Sequence, residues 1–249
     1  MDINPPSEAR PALGRVAGAQ VHARPATPAS EVIARFKALG DLTGTVSDVL
    51  DELGVDATIP SSTLRPTLDG QVVIGWAVTV RNVPQRFDRA NMAREGRSSM
   101  AEIEGINQAE PGDVLVIEGI PDVSNMGGII ATICARQQLA GGVVDGGVRD
   151  VGRSRGLGFP IWSTARSPVT GKWRAVTAEV NGTVTVCGTT VDAGDLVIAD
   201  DTGVCFVPRD RVLEVLERCE KATAKEDAWI EEIESGIPMQ AITARLYGG

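Results

Sequence analysis

At 249 residues and 43% apolar content, the chain can form one large domain or two small ones around a sizeable core, and it is not a disordered protein. Its net charge of −9 argues against the broad basic face of a nucleic-acid module, and no run approaches the apolar length of a membrane span. The single histidine, His22, leaves too few ligands for a Ser-His-Asp triad or a multi-histidine zinc site, so catalysis would rest on carboxylates, Arg, Lys, backbone amides and a hard cation, Mg²⁺ or Mn²⁺ rather than Zn²⁺.

Residues 1–28 carry Pro5, Pro6, Pro11, Pro25 and Pro28 among alanines and arginines. They read as an extended arm outside the core, either mobile or packed on a neighbouring subunit, with His22 incidental. The opening MDINPPSEARPALGRV lacks the apolar centre of a signal peptide, and a cytoplasmic location is expected. Cys134, Cys187, Cys205 and Cys219 form no CxxC pair and read as buried free thiols.

Residues 29–249 are expected to form a single domain. Ser30 can cap a helix carrying Val32, Ile33, Phe36 and Leu39, and a second helix from about Thr43 runs through Val46, Val49, Leu50 and Leu53 to Gly54. Asp48, Asp51 and Glu52 read as its solvated face. Gln71 to Arg81 is β-rich, with a bend expected at Gly75. The polar stretch 84–109 reads as a surface excursion or lid whose Arg86, Arg89, Arg94 and Arg97 could meet a substrate carboxylate.

Two Gly-Asp turns, at Gly112-Asp113 and Gly194-Asp195, each feed a short apolar strand. Asp200 and Asp201, after the second, read either as paired metal ligands or as a turn capped by Asp side chains. Met126 to Leu139 is helical; Val143-Val144 then makes a short buried strand, and Asp145-Gly146-Gly147 a tight turn. Pro160 to Trp162 is another strand, followed by a polar loop holding Arg166 and Lys172. Val176 to Val191 reads as a hairpin around Asn181-Gly182. Arg209 to Ser235 is an amphipathic helix with an acidic outer face.

Arg149 and Asp150, a guanidinium and a carboxylate at the end of the buried strand, make a candidate site for an anionic substrate and a divalent cation. An ordinary ion pair supporting a turn is the alternative. Gly128, twenty intervening residues, then Arg149-Asp150 resembles the G-x20-R-D signature of the RraA-like family, named for the regulator of ribonuclease activity A and including class II aldolases of 4-hydroxy-4-methyl-2-oxoglutarate and 4-carboxy-4-hydroxy-2-oxoadipate. TVSDVLDELG (45–54), PGDVLV (111–116), GVVDGGVRD (142–150), FPIW (159–162) and GDLVIADDTG (194–203) extend that resemblance over roughly residues 30–240.

The resemblance implies a three-layer α/β/α fold of the swivelling-domain type with a central β core, assembled as a homotrimer or homohexamer. It implies a metal-dependent lyase in which Asp150 holds Mg²⁺ or Mn²⁺, Arg149 neutralises oxyanion charge on a 2-oxo acid, and the backbone around Met126, Gly127, Gly128 and Ile129 receives the substrate carboxylate. Glu226 would be donated across a subunit interface to the metal. Two positions depart from the pattern. The aldolases commonly carry an acid where this chain has Gly128, and the signature usually continues to an acid where this chain has Arg153, which could instead bind a second substrate carboxylate. The same resemblance leaves open a non-catalytic protein that binds a ribonuclease, or a related metal-dependent enzyme acting on another hydroxy or oxo acid.

Overall fold

The computed structural model describes residues 3–4, 10–15, 20–40 and 42–247. Short strands β1 (Ile3–Asn4), β2 (Gln20–Val21) and β3 (Thr27–Pro28) lead into helices α1 (Glu31–Lys37) and α2 (Leu42–Glu52). Next come β4 (Thr58–Pro60), β5 (Arg65–Pro66) and the long β6 (Val73–Pro84), then α3 (Arg89–Arg94), α4 (Glu102–Gln108), β7 (Val114–Glu118), β8 (Ser124–Met126) and α5 (Gly128–Arg136). The second half runs β9 (Gly141–Val148), α6 (Val151–Gly156), β10 (Ile161–Arg166), β11 (Ala175–Val180), β12 (Val184–Val186), β13 (Thr189–Val191), β14 (Leu196–Ala199), β15 (Gly203–Val207), α7 (Val212–Glu234) and α8 (Met239–Tyr247).

The central sheet has the order β4-β15-β14-β6-β7-β9-β10-β5. Its middle strands, β6, β7, β9 and β10, are parallel, while β14, β15, β4 and β5 join antiparallel. Side chains alternate across it with the two-residue period of a strand. Val114 and Val116 of β7 pack with Phe36, Leu50 and Val215 from α1, α2 and α7, whereas Leu115 and Ile117 pack with Ile106 and Cys134 from α4 and α5. Helices thus cover both faces, giving the three-layer α/β/α arrangement with a central β core. Among the described residues no helix is long and apolar enough to cross a membrane.

Several local expectations are corrected. Ser30 stands at the start of α1 without a side-chain capping bond. β6 runs through Gly75 without a bend; the glycine is needed because a Cβ there would strike the Gly112 carbonyl. The turn expected at Asp145-Gly146-Gly147 is strand instead. β9 continues to Val148, and Gly146, at φ +149°, lets the Asn125 side chain and the Ile120 carbonyl come close. The hairpin turn falls at Cys187-Gly188, both at positive φ, joining β12 to β13. Asn181 also has positive φ, but β11 pairs with β6 and β2 rather than with β12.

The arm is not separate from the body in residues 20–28; Pro5 and Pro6 lie outside the described residues. β2 joins β11, and His22 Nε2 lies 3.0 Å from Glu179. Arg24 is buried with its fork on Asp113, Nε and Nη2 donating at 2.9 and 2.8 Å. Burial pushes the Asp113 carboxyl above its ordinary range despite that guanidinium. Removing one member of such a pair leaves a buried charge uncompensated, so Arg24→Met is expected to cost about 3 kcal/mol at neutral pH. The loss should shrink as pH falls, because a carboxyl raised above its ordinary range takes up its proton earlier than a free one; urea denaturation at neutral and at acidic pH measures both.

Candidate active site

Arg149 follows directly on β9, its backbone N–H donating to the Met126 carbonyl at 3.1 Å. Asp150 then takes a left-handed backbone, φ +56° and ψ +36°, which is costly for a residue with a Cβ. This conformation brings its Oδ2 to the Gly128 N–H at 2.9 Å, so the carboxylate caps the first turn of α5. Arg149 Nε lies 3.6 Å from the same oxygen. Both side chains are partly exposed, and both line a cavity of about 190 Å³. The ion-pair alternative is therefore present, but it sits on a cavity wall.

Met126, Gly127, Gly128 and Ile129 line the same cavity. The Gly128 amide is already engaged by Asp150, whereas the N–H groups of Ile129 and Ile130, in the first turn of α5, lack helical acceptors. Arg153 lies outside this cavity, on a shallow depression shared with Asp150, and donates from Nε to Thr132 Oγ1 at 3.2 Å. Glu226 is exposed on α7 and is not part of the cavity wall within one chain. The arginines of the 84–109 excursion do not line it either, and Arg97 pairs with Glu95 at 2.7 Å. Asp200 is committed to the fold, accepting from Thr43 Oγ1 at 2.8 Å and Thr202 N at 2.7 Å; Asp201 accepts from Gly70 N at 2.9 Å.

Two charged groups on the cavity wall were not identified as site residues from sequence, Lys172 and Glu102. Lys172 arrives on the loop between β10 and β11. Glu102, in the first turn of α4, is 4% exposed and forms no ion pair among the described residues. A legible signal existed: Glu102 shares a helix face with Gly105 and Ile106, and a carboxyl on an apolar face is a costly placement. Burial pushes its carboxyl up to about 7, against weaker opposing hydrogen bonds from its own backbone and from Asn82.

A divalent cation would find hard oxygen donors here and neither His nor Cys on the wall. Among the described residues no three His, Cys, Asp or Glu side chains cluster as ligands. Asp150 could hold an ion of the Mg²⁺ kind, which keeps water and substrate oxygens in most of its positions.

A three-layer α/β scaffold with a pocket beyond the carboxyl ends of parallel strands defines the class of protein. The chain belongs to the RraA-like family, whose profile, described as Aldolase/RraA, matches residues 43–206. It is 28% identical over 197 residues to Protein DlpA of Legionella pneumophila, covering 78% of this chain but 31% of DlpA, so it spans about a third of that relative's length. It is also 28% identical over 203 residues, 81% of this chain and 88% of the other, to a Halalkalibacterium halodurans protein named "Putative 4-hydroxy-4-methyl-2-oxoglutarate aldolase". Among solved structures it is similar to Streptomyces coelicolor RraAS2, described as an unusual member of the RNase ES inhibitor RraA protein family, with 28% identity, a TM-score of 0.67, and coverage of 85% of this chain and 98% of that one.

Glu102 generates a stability prediction of definite sign. Its carboxyl is raised from 4.5 to about 7 in the folded state, so stability is lost as pH rises from the lower value through the higher one. Glu102→Gln, which cannot ionise, should be more stable than the parent above neutral pH by up to about 3 kcal/mol. Near pH 4.5 that gain should vanish; scanning calorimetry of both proteins across the range tests it.

Proposed function

We propose that the chain is a divalent-metal-dependent lyase that cleaves a C–C bond in a 2-oxo di- or tricarboxylic acid, by retro-aldol cleavage to pyruvate or by decarboxylation of oxaloacetate. The observation that supports it is the convergence of Arg149, Asp150 and Lys172 on one cavity beside the start of α5. Such a substrate carries two or more carboxylates and passes through an enolate, and two cationic side chains with helix-start amides suit both charges. A Mg²⁺ or Mn²⁺ ion held by Asp150 would polarise the keto oxygen. Arg149 orients the substrate through its planar fork, Lys172 neutralises a carboxylate, and Met126 and Ile130 limit water on that side.

Purified protein with Mg²⁺ or Mn²⁺ is expected to release pyruvate from 4-hydroxy-4-methyl-2-oxoglutarate or oxaloacetate in a coupled assay. Asp150→Ala should abolish release, and Arg149→Lys should lower kcat by roughly 10²-fold, since a point charge replaces the fork. No turnover of any 2-oxo acid by the parent protein would remove the reading.

A second reading is a partner-binding protein that regulates a ribonuclease, and Gly128 favours it. Where the aldolases commonly carry an acid this chain has no side chain, and a Cβ there would lie 3.1 Å from Asp150 Cβ and 3.2 Å from Arg153 Cγ. Capture of a ribonuclease by immobilised protein, together with inert behaviour toward 2-oxo acids, would establish it over the lyase.

Assembly as a homotrimer or a pair of trimers belongs to the same proposal. Buried residues on α7 end at Cys219, while Ile230 and Ile233 farther along, and Met239, Leu246 and Tyr247 on α8, are exposed. A neighbouring protomer covering that face would bury these side chains, and the family resemblance has Glu226 of α7 donated across such an interface. Light scattering should give three or six times the 26.2 kDa chain mass, and a monomer would refute the arrangement.

A further inference from the structure

We propose that Glu102 is the group that carries the proton between substrate oxygen and substrate carbon in this cavity, a role that rests on the lyase reading above.

The carboxyls lining the cavity are Asp150 and Glu102. Asp150 is held by the Gly128 amide and flanked by Arg149. Other buried carboxylates are satisfied elsewhere: Glu104 accepts the N–H groups of Leu13 and Arg15, both at 2.8 Å, and Asp195 those of Asp192 and Arg209 at 2.8 and 3.0 Å. Glu102 is different. Besides its own backbone amide, its hydrogen-bonding neighbour among the described residues is Asn82, whose Nδ2 lies 3.4 Å from Oε1.

That contact is oriented from behind. The Thr177 hydroxyl accepts the Ala101 N–H at 2.8 Å and donates to Asn82 Oδ1 at 2.7 Å, so the Asn82 amide nitrogen must face Glu102. Asn82 positions one carboxyl oxygen from behind, on a residue that lines the cavity. The charged and titratable groups around it are Arg149, Asp150 and Lys172 on the shared wall and Cys134 on α5, a thiol pushed up to about 12 by burial and therefore neutral. Its own carboxyl, near 7, populates both protonation states at neutral pH, the condition for a group that takes and returns a proton in one cycle.

The step balances with no further reactant. The Glu102 carboxylate takes the proton of the C4 hydroxyl and the C3–C4 bond breaks. Its electron pair moves through C3–C2 into the 2-oxo group, giving the enolate, and C4 becomes a carbonyl. The carboxylic acid so formed returns the same proton to C3, making the methyl group of pyruvate. With oxaloacetate, CO₂ departs from C3 and the Glu102 acid protonates that carbon, recovering its proton from solvent.

The test compares the full-length parent, Glu102→Gln and Glu102→Asp with Mg²⁺ and 4-hydroxy-4-methyl-2-oxoglutarate or oxaloacetate. Glu102→Gln should lower kcat about 10²- to 10⁴-fold with KM near the parental value, and should erase the limb of the pH profile near 7. Glu102→Asp should recover part of the rate. Without substrate, the infrared band of a protonated carboxyl that titrates near pH 7 should be absent from Glu102→Gln, and deuterium exchange into the methyl group of added pyruvate should stop. Parental kcat and pH profile in Glu102→Gln would overturn this role and leave the lyase reading standing; no turnover by the parent would overturn both.

Discussion

One hydrogen bond, from the Gly128 N–H to Asp150, ties the end of β9 to the start of α5, and the cavity depends on it. It requires Asp150 to adopt a left-handed backbone, at roughly 1 kcal/mol for a non-glycine residue. Capping an otherwise unsatisfied helix donor contributes about as much in return, and the N-terminal partial charge of α5 adds to it. The consequence is geometric. Arg149 is swung onto the cavity wall, while the next two amides of α5 remain open for an anion.

Around that joint the protein treats chemically equal groups in unlike ways. Arg24 cancels Asp113 in the interior, and two backbone amides of the arm satisfy Glu104. Glu102, two residues before Glu104 and on the cavity wall, is left with its own backbone amide and one long contact to Asn82. A fold that satisfies its other buried acids and leaves one poorly satisfied beside a pocket spends stability there, and such places are where acid–base chemistry resides.

The family scaffold by itself does not decide between catalysis and partner binding, because a fold hosts function through its site. The chain is similar both to a protein named for an aldolase and to a member of a ribonuclease-inhibitor family. Gly128 removes a side chain from the cavity rim and Arg153 adds positive charge beside Asp150, while Glu102 and Lys172 supply an acid and a cation on the wall. These four residues set the shape and charge of the cavity and its rim in this chain.

The sequence by itself determined what depends on neighbours along the chain. The apolar spacing of α2 and the continuous apolar run of β7 follow from local pattern, and the Arg-Asp pair, with its glycine upstream across twenty intervening residues, marked the family and the pocket's edge. Local pattern misplaced the hairpin, because Asn181-Gly182 has favoured turn chemistry but β11 is claimed by β6 and β2, leaving the turn to Cys187-Gly188. It also ended β9 early, since glycines at 146 and 147 look like a turn until Asn125 and Val123 are seen pressed against them. Glu102 and Lys172 met Arg149 only through tertiary structure: sheet order, fixed by which strands bury each other's apolar faces, brings together residues that no period along the chain relates.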